Sequence, residues 1–235
     1  MERRTADSSR PPGWWLGPLF TGLARLRGGR RAFHPRGDAW SGWWEGAALG
    51  HNVPSLSGRH PALVRVSRGV GLPAPLPDVL GLALRVCTTN AGDVDLLFAT
   101  YQGDRFPIPW PRRTPEGVVH STIAAYRSGA GKVRFHASLA GDVITVHEVA
   151  EDGRTTVVGT LVREQPVPAE VTEILRFDPS QCGPDLEPVG AYNRWRKPAY
   201  DSSQVARSPL AHEAHRDHEA RLGEILRPVT QPAEG

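Results

Sequence analysis

The stretch KVRFHASLAGDVITVHEVAEDG, residues 132–153, decides how this chain folds. Val133, Phe135 and Ala137 alternate with their neighbours, and Val143, Thr145 and His147 repeat the pattern after the glycine at 141. A period of two belongs to a strand with one buried face, and a glycine between two such runs is hairpin chemistry. The neighbouring blocks behave alike. VVHSTIAAYRS (118–128) runs into a turn at 128–131, and TTVVGTLVREQPV (155–167) follows the turn at Asp152 and Gly153. Consecutive hairpins predict an antiparallel barrel or a strongly curled sheet. His120, His136 and His147 lie in these blocks with no spacing that gives them a common face, so they read as satisfied barrel histidines and not as a metal site.

Working back from there, DVLGLALRVCTTNAGDVDLLFATYQG (78–103) reads as strands 82–88 and 94–100 joined by a turn at Asn90, Ala91 and Gly92. In PALVRVSRGVGLP (61–73), residues 63–67 read as a short strand ending at a glycine-rich bend, with Arg65 and Ser67 on one face. Residues 101–117 contain four prolines and read as a loop. RAFHPRGDAWSGWWEG (31–46) is dense in Gly and Trp; His34 before Pro35 is either a loop histidine or a site residue presented by a rigid turn, and Trp40, Trp43 and Trp44 read as packing residues. After Pro168, FDPSQCGPDLEPVG (177–190) reads as an unpaired loop. Both ends read as helix: 14–31, where Trp15, Leu19, Leu23 and Leu26 recur at helical spacing, and 208–227. The expected class is therefore α+β, a curled antiparallel β-barrel with flanking N- and C-terminal helices.

Size and composition fit one domain. The 235 residues allow a single sizeable core, with 1–12 expected disordered, 13–227 as the domain and 228–235 as a disordered tail. A net charge of +3, from 28 basic and 25 acidic residues, is too small to argue for nucleic acid. Cys87 and Cys182 form no CxxC or Cys/His cluster, which points to a reduced cytoplasm and against a structural zinc site. No apolar run reaches the roughly 18 residues of a membrane span.

NRWRKPAYDSSQVAR, residues 193–207, carries the chemistry that composition does not. Arg196, Tyr200 and Arg207 fall along one stripe if the segment is helical. A phenol is a poor ligand near neutral pH, but a guanidinium one turn away favours the phenolate, a good ligand for ferric iron. The alternative, an ordinary Arg–Tyr pair at helical spacing, stays open on these residues alone.

Taken in order, these pieces resemble the haem catalase family. RAFHPRGDAWSG is similar to the family's distal segment through Arg31, His34, Gly37 and Gly42. VRVSRGVG and DVLGLALRV resemble the two segments that follow, through Arg65, Ser67, Asp78, Gly81 and Ala83. FDPSQCGPDLE resembles the family's wrapping segment, and Arg196, Tyr200 and Arg207 its proximal motif. The resemblance implies a catalase-like barrel holding haem b, with Tyr200 as the axial iron ligand and Arg196 lowering its pKa. It implies His34 as the distal acid/base that moves a peroxide proton, Ser67 as its tautomer-fixing partner, and Arg31, Arg65 and Arg207 on the haem propionates. The expected partners are a peroxide and an unidentified electron donor, with a homodimer as the assembly. One departure tempers this: the family's distal Asn falls at 98–100, where this chain has Phe98, Ala99 and Thr100. The implied function is a haem peroxidase with weak true catalase activity. The alternatives are a haem or small-ligand binder without catalysis, and a phosphodiesterase using the same arginines.

Overall fold

The computed structural model describes residues 34, 36–48, 50–88, 92–102, 108–129 and 131–190. Strands run in chain order as β1 (Arg36–Gly46), β2 (Gly58–Arg68), β3 (Leu80–Val86), β4 (Val94–Gln102), β5 (Ile108–Pro109), β6 (Val119–Ser121), β7 (Ala125–Ser128), β8 (Gly131–Ala140), β9 (Val143–Ala150) and β10 (Thr155–Pro166). One short helix, α1 (Ala169–Ile174), and a last strand, β11 (Glu187–Val189), complete the described chain.

Neighbouring strands are antiparallel in the order β6, β4, β3, β2, β1, β10, β9, β8, and β8 returns to β6, so eight strands close into a barrel. Closure hides the strand edges that an open sheet would present. The described residues are 58% strand and 6% helix. That corrects the expected α+β class, because the period-two alternation that marks 132–153 continues almost without interruption around the ring. The expected flanking helices, 14–31 and 208–227, lie outside the described residues, as do Arg31, Arg196, Tyr200 and Arg207.

The Trp-rich stretch, given no element from its sequence, is strand β1, paired on both sides. Its register shifts at Ser41/Gly42, and beyond the shift Trp43 and Trp44 take opposite faces as successive strand residues do. Trp44 is fully buried in the barrel, its indole N–H donating to the Leu56 carbonyl at 2.7 Å. It lies against Gly159, where an added Cβ would come within 2.4 Å of the ring. Around it pack Val64, Leu82, Leu84, Leu96, Phe135, Val146 and Leu161. Trp43 and Trp40 lie under guanidinium groups, Arg59 at 4.1 Å and Arg163 at 4.4 Å. The cluster is thus fixed into the barrel wall.

A second, smaller core sits on the outer face, where Val171 of α1 packs with Ala39, Leu63, Leu175 and Phe177. Next to it, 177–190 is not the unpaired loop expected: Cys182 bridges to Val94, and β11 pairs with β7. A buried ion pair anchors this segment. Arg85 grips Asp95 with two bonds of 2.7 and 2.6 Å and also donates to the Arg176 carbonyl at 2.7 Å, while the Asp178 N–H donates to Asp95 at 2.7 Å. Burial works against the Arg85 charge, but the hydrogen-bonded Asp95 carboxylate outweighs it and raises the guanidinium pKa.

Candidate functional site

Alternation sends odd residues of β2, β3 and β4 outward, and their register aligns them. Gly37, Ser67, Gly81, Ala99, Ser121 and His136 are successive cross-strand partners, giving a row of mostly small residues around the outer wall. His34 enters just before β1 and lies on this row. Its backbone is in the left-handed region, at φ 55, uncommon for a residue with a Cβ. Three contacts hold it there. The His34 N–H donates to the Gly69 carbonyl at 2.8 Å, its carbonyl accepts from Arg65 Nη2 at 3.0 Å, and Nδ1 lies 2.9 Å from Ser67 Oγ.

The ring rests directly on Gly81. A Cβ there would fall 2.4 Å from Cε1 and 2.6 Å from Nδ1, so any side chain at 81 displaces the imidazole. Ser67 is hydrogen-bonded to more than the ring. Its hydroxyl also lies 3.3 Å from the Gly81 carbonyl, and when it donates there it can accept from an Nδ1–H of the ring. In that tautomer the basic lone pair would be on Nε2.

Asp78 supports the bend above this site. Its carboxylate accepts from the N–H groups of Val70, Gly71 and Leu72 at 3.0, 2.9 and 3.0 Å. Burial alone would raise its pKa, but the backbone amides of Val70, Leu72, Gly71 and Val79 outweigh this and hold it below the ordinary carboxylate value. The positions expected for a distal amide divide between the two faces. Phe98 is part of the interior core, and Thr100 is buried, accepting from the Leu80 N–H at 3.0 Å and donating to the Trp110 carbonyl at 2.7 Å. Only Ala99 shares the outer row, beside Gly81.

Of the residues singled out from sequence, His34, Ser67, Arg65 and Gly81 come together here. Arg31, Arg196, Tyr200 and Arg207 lie outside the described residues. The three barrel histidines separate: His136 and His147 are cross-strand partners on the outer face, with Tyr101 5.3 Å from the His136 ring. His120 is fully buried inside, with the backbone of Ala137 and Val118 beside its ring. The Tyr101–His136 contact went unread in the sequence because register, not spacing, creates it. Among the described residues no group of three or more His, Cys, Asp or Glu is arranged to hold a metal ion, and no helix is long and apolar enough to cross a membrane.

No protein-family model matches the chain, and no curated protein does. Among solved structures, a fungal catalase is similar with a TM-score of 0.54 and 13% sequence identity, covering 82% of this chain. The match takes in 62% of the catalase chain, so this chain spans less than two thirds of that protein's length. At that identity the likeness is one of architecture: the fold is catalase-like.

Proposed function

We propose that this chain is a haem-dependent oxidoreductase that uses peroxides to oxidise a donor, with little true catalase activity. The observation that carries this reading is the held imidazole: His34 hydrogen-bonded to Ser67 and resting on Gly81, on the outer wall of a catalase-like barrel. The small residues of this row, Gly81 above all, make room for the imidazole against the wall, which supports a planar haem stacked over the ring's other face. When bound, haem supplies the redox chemistry with peroxide. The chain's own part is to take a peroxide proton at His34 Nε2 and return it to the departing oxygen, with Ser67 holding the tautomer through both transfers. Tyr200, with Arg196 beside it in sequence, is the proposed iron ligand. Arg31, Arg65 and Arg207 are the proposed propionate partners, each contributing roughly 1.5–3 kcal/mol to affinity as a charged hydrogen bond.

Ala99 favours a second reading, a haem binder without catalysis, because it leaves no amide beside the imidazole to position a peroxide. Titration of the purified full chain with ferric haem, followed in the visible spectrum, tests both readings, since each expects one haem per chain. Tyr200→Phe should keep the β-sheet circular dichroism and lose that spectrum. An unchanged ferric spectrum in Tyr200→Phe overturns the ligand assignment, and no haem uptake by the wild type overturns the proposal. Oxygen evolution from hydrogen peroxide, measured beside donor oxidation with hydrogen peroxide and an organic hydroperoxide, separates the readings. Donor oxidation should exceed oxygen evolution, and absence of both in haem-loaded protein leaves the binder.

A further inference from the structure

Among the described residues nine large apolar side chains are exposed, and five of them, Val70, Leu72, Leu76, Ile108 and Trp110, belong to two short segments. The other four, Val119, Val143, Val157 and Val162, sit on strands. Single exposed apolar residues need no explanation, but a cluster between 38% and 62% exposed does. The two segments share one end of the barrel because their backbones are joined. Asp78 and Arg112 exchange N–H to carbonyl bonds of 3.0 and 2.7 Å, and the Trp110 N–H donates to the Thr100 carbonyl at 2.8 Å. Asp78 holds the first segment through the amides of Val70 and Leu72, and Arg68 donates to the carbonyls of Leu72 and Leu76. The apolar tips are therefore presented on a fastened scaffold.

Among the described residues, the cations beside these segments differ from those elsewhere on the surface. Arg59, Arg127, Lys132, Arg154 and Arg163 each meet a carboxylate on the rest of the surface. Arg112 and Arg113, beside Trp110, meet none among the described residues. The acid within these two segments, Asp78, is buried, bound to backbone amides and 4.0 Å from Arg68. We infer that this rim docks on an anionic lipid surface, with the aliphatic tips and Trp110 entering the headgroup boundary and Arg112 and Arg113 on the phosphates. A lipid surface offers hydrocarbon and anionic oxygen side by side, and Trp beside Arg suits that boundary. This inference stands independently of the haem reading.

The test is co-sedimentation of the full chain with vesicles of phosphatidylserine and phosphatidylcholine in equal parts, against phosphatidylcholine alone. The wild type should sediment with the acidic vesicles and weakly with the neutral ones. Arg112→Gln with Arg113→Gln should lower binding about fivefold for each charge removed, and Leu76→Ser with Trp110→Ser should abolish it. Both pairs change surface side chains, so the charge pair gives a reading even if the apolar pair fails to fold. A wild type that stays in the supernatant overturns the proposal, as do two folded variants that sediment like the wild type. Self-association of the wild type, lost in Leu76→Ser/Trp110→Ser without any lipid binding, also overturns it and assigns the rim to a second copy.

Discussion

His34 and His120 occupy the two sides of one wall and meet opposite fates. Outside, His34 sits in a left-handed backbone with Gly69, Arg65, Ser67 and Gly81 arranged around it. Inside, His120 is surrounded by the barrel core, with only the backbone of Ala137 and Val118 beside its ring. Burial pushes its pKa down to about 4, and the neighbouring backbone of Ala137 and Val118 offsets this only in part. The contrast teaches that the two faces of one β-wall offer a histidine chemically distinct environments. A titratable group gains a use where the wall gives it partners and access, and is silenced where the wall buries it.

The sharpest way to break this comparison is to exchange the losses. In haem-loaded protein His34→Ala should depress donor oxidation by about 10² to 10⁴, the usual contribution of general acid–base catalysis. His120→Leu should leave the rate unchanged. Equal rates in wild type and His34→Ala would mean that the measured turnover is background chemistry of the cofactor.

Next in size is a stability effect that belongs to His120 alone. Its folded pKa lies below the unfolded value, so the unfolded chain binds more protons between the two. Stability is then fully present above about pH 6.5 and lost as the pH falls to about 4. A shift of this size corresponds to roughly 3 kcal/mol. Denaturant titrations across that window should show this component in the wild type and not in His120→Leu. Parallel pH profiles for the two proteins would show that burial leaves the His120 pKa where it is in the unfolded chain.

A smaller effect is expected at Ser67. Ser67→Ala removes the bond to the His34 ring, at a stability cost of about 0.5–1.5 kcal/mol. The donor oxidation rate should fall between those of the wild type and His34→Ala. A rate equal to the wild type would mean that Gly81 and Gly69 orient the ring unaided. The mildest expectation concerns another group silenced by burial. The Cys182 thiol is pushed up to about 11, chiefly by burial, and donates to the Leu186 carbonyl at 2.9 Å. Alkylation at pH 8 should be slow in the folded protein and fast in denaturant.

Much of the barrel was legible because its strands alternate. The runs at 63–67, 82–88 and 94–100 fall largely within β2, β3 and β4, and the breaks at 128–131, Gly141 and Asp152–Gly153 are the turns around β8 and β9. Strand β1 was illegible for a local reason: Trp43 beside Trp44, with Gly42 at the register shift, erases the alternation that marks a strand. Pro61 concealed the start of β2 in the same way, although its carbonyl accepts from the Cys87 N–H at 2.9 Å. The His34–Ser67 pair was reached only through resemblance, since 33 residues separate its members and no local pattern joins them. The inward aim of His120 depends on the register of three-residue β6, which no periodicity of that length can establish.

The barrel is sealed by its first strand against its tenth, with Trp44 opposite Leu161 and Gly46 opposite Gly159. During synthesis that seam has only one half for most of the chain's growth. β1 can pair with β2 early, yet its other edge stays open until residue 166 has been made, and β9 waits for the same strand. A chain halted at Ala150 would carry two unpaired edges beside an uncovered Trp44, a template for association with other chains. The seam makes β10 the segment whose arrival ends the vulnerable period, a matter of timing that the finished ring no longer displays.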